Sequence, residues 1–243
     1  AGLEGKWLFT LDGPSIWPFL QYSENRDLRK RLLMGYLERC QSGATDTKEI
    51  ASRIAVLRVE KAQLLGYKTW ADFILEENMA KDAKGVYGLL EQVWNPALAK
   101  AKAERSELQA MMDKEQPGQK LEAWDWRFYE EKVRKAKYDL DEEALKPYFA
   151  LDKVRAGAFQ VAGKLYGLTF TELKDMPVYN AEVKVFEVKE KDGRHLGLLY
   201  TDYHPRPGKR GGAWCGSLRP ARDHHKINPV ATNVCNFTRP TAD

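Results

Sequence analysis

The stretch LLYTDYHPRPGKRGGAWCGSL, residues 198–218, joins an apolar run, a basic segment with glycines and a second apolar run. This order predicts a strand, a loop that presents its backbone at a surface, and a second short strand. The glycines matter because a residue without a side chain lets another main chain approach closely. We expect the binding function of the chain to lie in this stretch and the rest of the chain to be scaffold.

Strand signals surround this stretch in the last third of the chain. Residues that are mostly β-branched nearly alternate over 183–188, a turn signal follows at 191–193, and residues 195–203 are suited to be the partner strand. We therefore predict a β-hairpin. Residues 229–237 supply another strand, so the expected sheet has three or four strands.

Helical patterns occupy the first two thirds of the chain. Asn25 is placed to cap a helix through Arg39, with apolar residues at helical spacing on one face. Asp46 and Glu49 form a capping-box-like pair before a second helix, which stops at Gly66.

Further helices are predicted up to residue 166. They cover Thr69–Met79, Asp82–Asp113, Trp126–Lys137, Glu142–Phe149 and Asp152–Tyr166, the last closed by Gly167. Pro96 should kink the long helix, because proline lacks a backbone donor and collides with the preceding turn. Residues 7–22 contain Gly13-Pro14 and Trp17-Pro18, which predict a loop or a short extended segment.

The fold class predicted from these elements is mainly α, a helical scaffold with a small β-sheet in the C-terminal third. We divide the chain into a helical segment at 1–115, a second helical segment at 116–168 and a sheet segment at 169–243. The turn at Gln116-Pro117-Gly118 marks the expected hinge.

Composition excludes several classes of protein. With 243 residues, 43% hydrophobic and 30% charged, the chain can bury a core. Its composition is typical of neither a disordered nor a membrane-spanning protein. The net charge of +4 arises from 39 basic and 35 acidic residues, a balanced mixture that does not argue for nucleic acid. We interpret the three cysteines as free thiols.

Common catalytic motifs are missing from the sequence. There is no dinucleotide-binding G-x-G-x-x-G after a strand, no Walker motif, no nucleophile elbow and no H-E-x-x-H zinc motif. A structural zinc site from Cys215, His224, His225 and Cys235 is the alternative. Adjacent histidines of an extended segment point to opposite faces and the cysteines lack C-x-x-C spacing, so we interpret them as surface histidines and packed cysteines. We assign no catalytic and no metal-binding residue.

Three other groups have both a functional and a structural interpretation. We interpret the carboxylate pairs Glu76-Glu77 and Asp141-Glu142-Glu143 as a solvated face and a helix start. The aromatic group over residues 124–129 could line a groove, but its helical spacing favours the core. Arg206, Lys209 and Arg210 either bind an anion or carboxylate or simply solvate a loop, and both alternatives stay open.

Five segments carry a resemblance to a known family. They are Asn25–Arg29, Leu57–Tyr67, Trp124–Tyr129, Lys137–Asp141 and Arg206–Trp214. Together they resemble the thimet-oligopeptidase family of zinc metallopeptidases, with its peptidyl-dipeptidases as the nearest match, over essentially the whole chain. The resemblance implies a larger, two-lobed, mostly helical peptidase with a deep channel, and we expect the three segments to be parts of one catalytic domain.

The resemblance also implies a zinc ion and a reaction that this chain does not complete. Family members continue beyond the equivalent of residues 233–237 into a helix with H-E-F-G-H, and the sequence stops at Asp243 before it. We therefore expect an internal fragment of a zinc peptidyl-dipeptidase, which releases C-terminal dipeptides from short peptides. The fragment would contribute scaffold and channel wall, would bind no zinc itself and would be inactive alone.

The expected contribution of the fragment to peptide binding lies before the second strand. In the family this strand lies beside the zinc helix, which implies that Gly211, Gly212, Ala213 and Trp214 form an edge that pairs with an extended peptide. Main-chain pairing would give broad specificity. The alternative is that the two glycines only turn the chain and Trp214 fills the core. Arg206, Lys209 and Arg210 would stand at the entrance.

Two other functions remain as alternatives, a non-catalytic helical module that binds peptides or proteins, and nucleic-acid binding through the basic loop. The expected partners are short peptides and the remainder of the parent chain, with no nucleic acid and no membrane. Apolar surface built to face that remainder should cause self-association. We expect a cytoplasmic location, with an exported parent as the alternative.

Overall fold

The structure, a computed structural model, describes residues 4–139 and 143–239. Its helices are α1 (Gly13–Tyr22), α2 (Arg26–Leu37), α3 (Lys48–Leu64), α4 (Trp70–Leu75), α5 (Ala83–Glu115), α6 (Trp126–Tyr138) and α7 (Leu151–Tyr166). Its strands are β1 (Thr169–Leu173), β2 (Lys184–Lys189), β3 (His195–Asp202), β4 (Trp214–Arg219) and β5 (Val230–Val234). The predicted class, mainly α with a small C-terminal sheet, is confirmed.

The chain divides into two compact units. The helical unit comprises Phe19–Tyr138, and the sheet unit comprises the described parts of 1–18 and 139–243. Each is built by a different kind of packing, helix on helix in the first and a sheet with α7 in the second.

Several helix ends follow the predicted capping chemistry. Asn25 caps α2, because its side chain accepts a hydrogen bond from the Leu28 amide at 3.0 Å. Gly167 ends α7 in the left-handed conformation, with φ of 73°. The predicted box of Asp46 and Glu49 is wrong: Thr47 is the N-cap residue of α3, and the Asp46 carboxylate accepts from the Lys48 amide instead.

The expectation of a loop or extended segment over residues 7–22 is wrong for its second half, which forms α1. Pro14 lies in the first turn, where backbone donors have no helical partner in any case. Ile16 and Leu20, one helical turn apart, are 0% and 3% exposed. Burial of this face outweighs the donor that Pro18 removes from the helix.

The core of the helical unit lies between α5 and α6. It contains Leu108, Met112, Leu121, Phe128, Tyr129 and Val133, with Met111 and Trp126 packed against it. The core interpretation of the aromatic group is thus confirmed for Phe128 and Tyr129. Glu76 and Glu77 are exposed, as expected for a solvated face, whereas Asp141, Glu142 and the side chain of Glu143 lie outside the described residues.

A buried ion cluster ties α2 to the start of α6. Asp125 is 0% exposed and accepts hydrogen bonds from Arg26 and Arg29, each with a closest approach of 2.8 Å. The Arg29 guanidinium also lies 4.1 Å from the centroid of the Phe128 ring. Burial would raise the pKa of Asp125, but bonds from the two arginines lower it overall. Two of the motifs that resemble the family therefore meet in a structural contact.

The sheet has the order β1-β2-β3-β5-β4. The predicted hairpin is confirmed, since β2 pairs antiparallel with β3. The expected size of three or four strands is wrong, because β1 joins antiparallel to β2 as a fifth strand. A short threonine-rich run beside a helix end gives a weak strand signal, and its strand conformation depends on pairing with residues some 15 positions later.

The position of α7 follows from aromatic contacts with the sheet. Phe159 stacks on Phe170 of β1 with ring centroids 4.0 Å apart, and meets Phe186 of β2 edge-on at 5.0 Å. The predicted helix before α7 is a 3₁₀ segment over Glu143–Phe149. Its first predicted residue, Glu142, lies outside the described part.

Candidate functional site

β4 is one edge of the sheet. Within the described residues it pairs only with β5, antiparallel, from Trp214 opposite Val234 onward. All six residues of β4 are exposed, and Trp214 itself is 39% exposed. An edge strand carries backbone donors and acceptors that no neighbouring strand uses. The structure therefore presents an unpaired main chain immediately after the predicted basic loop.

The glycines before β4 form a bend with open space beside it. Gly212 has φ of 93°, in the left-handed region that favours glycine. A Cβ atom added at Gly211 or Gly212 would meet nothing within 4 Å. Of the four predicted edge residues, Trp214 lies in β4, Ala213 directly precedes it, and the two glycines form the bend.

Asn236 connects this bend to the end of β5. Its Nδ2 atom donates to the carbonyl oxygen of Gly212 at 2.7 Å and to that of Arg210 at 3.1 Å. The bend is thus held by side-chain hydrogen bonds at the point where the β4–β5 ladder ends.

A buried carboxylate organises the start of the loop. Asp202, 2% exposed at the end of β3, accepts from both NH groups of the Arg206 fork at 2.7 and 2.8 Å. It also accepts from Lys209 at 2.8 Å and from the Tyr179 hydroxyl at 3.1 Å. Burial would raise the pKa of Asp202, but the bonds from Arg206 and Lys209 hold it at about 2.

Lys209 is turned inward. Its side chain is 3% exposed, and its ammonium lies within 3.0 Å of three main-chain carbonyl oxygens, those of Asp202, His204 and Cys235, besides the Asp202 carboxylate. An ammonium has three donors, so these acceptors use its whole capacity.

The three predicted loop cations therefore occupy different environments. Arg206 and Lys209 come together at Asp202, whereas Arg210 is exposed and its guanidinium has no hydrogen bond or ion pair with a described residue. As far as the described residues extend, the Arg210 guanidinium is therefore available to a carboxylate or another anion.

The four alternative zinc residues lie on three different segments of the sheet unit, namely β4, the end of β5 and a 3₁₀ turn. Cys215 is exposed on β4, contrary to the expectation of a packed thiol, and Cys235 is half-buried. His224 and His225 are exposed in a 3₁₀ turn. In the described part of the chain, no group of three or more His, Cys, Asp or Glu side chains is arranged to hold a metal ion.

The sequence patterns missed three residues of this site, Asp202, Tyr179 and Asn236. One sequence pattern could have indicated Asp202, because this residue ends an apolar strand four residues before Arg206. No such pattern indicated Tyr179 and Asn236, because they lie 23 residues before Asp202 and 24 residues after Gly212.

Among the described residues, every helix is too short or too polar to span a membrane.

Comparison with known proteins finds a match between residues 19–243 and the model of peptidase family M3. A dipeptidyl carboxypeptidase of Escherichia coli is 37% identical over 99% of this chain and 36% of its own length. Oligopeptidase A of the same bacterium is 35% identical over 98% of this chain and 36% of its own length. An organellar oligopeptidase A of Arabidopsis thaliana is 35% identical over 98% of this chain and 31% of its own. The chain thus spans about a third of the length of the curated relatives it matches.

Proposed function

Because the chain belongs to peptidase family M3, as its sequence resemblance predicted, we propose that it is a segment of a zinc-dependent peptidyl-dipeptidase. The parent enzyme would release C-terminal dipeptides from short peptides. The segment would supply scaffold and one wall of the substrate channel. Among the relatives, the E. coli protein that is 37% identical is named for dipeptidyl carboxypeptidase activity, which supports this choice.

The observation that carries the proposal is the unpaired edge of β4 with its open glycine bend. An extended peptide can add to such an edge as a further strand, and main-chain hydrogen bonds then hold it whatever its side chains are. The free guanidinium of Arg210, directly before the bend, is suited to the C-terminal carboxylate of a peptide. Arg206 and Lys209 would support the loop through Asp202 without touching the peptide.

In the proposed enzyme, the zinc ion is bound by parts of the parent protein outside this chain. The described residues offer no set of ligands for it. The segment would orient the peptide, while ligands elsewhere in the parent would hold the metal. A cytoplasmic location is part of the proposal, because three free thiols suit a reducing compartment.

Main-chain pairing can be tested with a matched pair of peptides. Penta-alanine should bind the chain saturably and protect the β4 amides from hydrogen exchange. Penta-alanine with alternate backbone nitrogens methylated should bind at least about tenfold more weakly, because methylation removes donors without changing side chains. Isothermal titration calorimetry and exchange mass spectrometry are the measurements. Equal binding of both peptides, or no binding of either, would refute the proposed edge.

The proposed activity of the parent requires a separate test. The full-length gene product should release dipeptides from the C-terminus of a blocked pentapeptide and lose this activity to a zinc chelator. The 243-residue chain should release none. Peptide binding by a full-length product without any cleavage would instead support the non-catalytic binding module.

A further inference from the structure

The Asn236 side chain bonds the bend at the position where the next backbone pair would continue the β4–β5 ladder. The register pairs Trp214 with Val234, so its continuation by two residues sets Gly212 opposite Asn236. At this point the asparagine side chain replaces the backbone as donor, with bonds to the carbonyl oxygens of Gly212 and Arg210. A side-chain amide has two donors, so a single residue satisfies both carbonyls.

The segment that carries Asn236 is fixed on its other side to β3. The Cys235 amide donates to the Asp202 carbonyl at 2.8 Å, and the Phe237 amide donates to the Tyr203 carbonyl at 2.7 Å. These bonds extend the parallel β3–β5 pairing beyond Val234. The backbone of Asn236 is therefore anchored, while its side chain reaches across to the bend.

Lys209 strengthens the same anchor from within the loop. Its buried ammonium donates to the Cys235 carbonyl at 2.7 Å and to the Asp202 carboxylate at 2.8 Å. The residue directly before Asn236 is thus held by a charge-assisted hydrogen bond as well as by β3.

We infer that Asn236 is a positioning residue, which fixes the main chain of residues 210–214 in the conformation that pairs with an extended peptide. The inference rests on the proposed function, since it concerns the same edge. Two adjacent glycines leave this bend many conformations in the absence of a brace, and a peptide would then have to order the bend at a cost in affinity. Because the two hydrogen bonds from Asn236 already order the bend in the free chain, peptide binding does not have to order it.

The test uses Asn236→Ala in the 243-residue chain, with penta-alanine as the probe. Without peptide, the NMR order parameters of the backbone amides of residues 210–214 should fall from about 0.85 in the wild type to below about 0.6, because two bracing bonds are lost. Affinity for penta-alanine should fall about tenfold, and a pentapeptide with other side chains should lose the same factor. The midpoint of thermal unfolding should stay within about 2 °C, since Asn236 is only half-buried.

Asn228→Ala is the matched control. Asn228 also donates from its side chain to a carbonyl of the same sheet, that of His195, but at 3.4 Å and at the opposite end of β3. This variant should leave both the order parameters of residues 210–214 and the affinity unchanged.

Two results would overturn the role of Asn236. Unchanged order parameters in Asn236→Ala would show that the bend needs no brace. A loss of affinity that scales with a lower unfolding temperature, or that Asn228→Ala reproduces, would assign Asn236 to general stability. If the wild-type chain binds no penta-alanine, the proposed edge fails, but the order parameters measured without peptide still decide whether Asn236 braces the bend.

Discussion

At the scale of the residue, two buried aspartates hold the two units in different ways. Asp125 joins two arginines in the helical unit, and Asp202 joins an arginine, a lysine and a tyrosine in the sheet unit. A buried carboxylate is stable only when it is paired and hydrogen-bonded, and both meet this condition. Asp202 has the more direct link to the candidate site, because its partners shape the loop before β4.

The depressed pKa of Asp202 predicts a loss of stability in acid. Its pKa is about 2 in the folded chain against 3.8 for an unperturbed aspartate. Since the folded value is the lower one, its contribution is complete above about pH 4 and disappears as the pH falls toward 2. The shift corresponds to about 2 kcal/mol of unfolding free energy.

Urea unfolding at pH 7, 4 and 2.5 measures this contribution. Asp202→Asn should be less stable than the wild type at pH 7, and the gap should shrink by about 2 kcal/mol toward pH 2. Asp175→Asn, which alters an exposed aspartate of the same unit, should change the free energy of unfolding at pH 7 by less than about 0.5 kcal/mol. A gap for Asp202→Asn that does not change with pH would contradict the assignment.

At the scale of the element, the parallel pairing of β3 with β5 places β4 at the edge. β4 follows β3 in sequence, yet β5 lies between them. The close approach needs a glycine, because a Cβ atom at Gly197 would lie 2.7 Å from the Pro229 carbonyl oxygen. The Leu198 amide donates to that same carbonyl at 3.0 Å. The start of β5 thus depends on one residue of β3 without a side chain.

Gly197→Ala should separate β5 from β3. We expect a loss of about 1–3 kcal/mol, as for other overpacked sites, and a fall of several degrees in the unfolding midpoint. Gly211→Ala is the control, because its added methyl group meets nothing within 4 Å. Circular dichroism at rising temperature measures both. An equal midpoint for the two variants would refute the close-approach argument.

At the scale of the whole molecule, apolar helix faces lie uncovered within the described residues. Ile50, Ile54 and Leu57 of α3 are exposed, as are Leu90 and Val93 of α5. Exposed large apolar side chains that recur on one helix face are typical of a contact surface. We propose that the remainder of the parent chain covers it, in keeping with relatives about three times as long.

Self-association of the isolated chain is the resulting prediction. Sedimentation velocity should show a mean mass above that of one chain, rising with concentration, because apolar faces bury one another. The double variant Leu90→Lys with Val93→Lys should lower the mean mass. Lys100→Gln with Lys102→Gln, on exposed positions of the same helix, should not. A monodisperse wild-type monomer would contradict the prediction.

Local patterns predicted much of the fold and part of the site. Asn25, Gly66 and Gly167 mark helix ends, and the run over 183–188 marks a strand, because capping and alternation act between near neighbours. α1 and β1 were missed, since burial and a distant partner strand outweigh weak local preferences there. Whether Gly211–Trp214 binds peptide stays a prediction.

The sequence by itself determined the mainly helical class, the family and the basic glycine loop before a short strand, all of which depend on residues close together in the chain. Only the tertiary structure decided that β4 is an edge, because β5 enters between β3 and β4 from a later part of the chain. It also decided which loop cations are engaged. Asp202 and the carbonyls around Lys209 come together through strand pairing across more than 30 residues, and no local pattern encodes that contact.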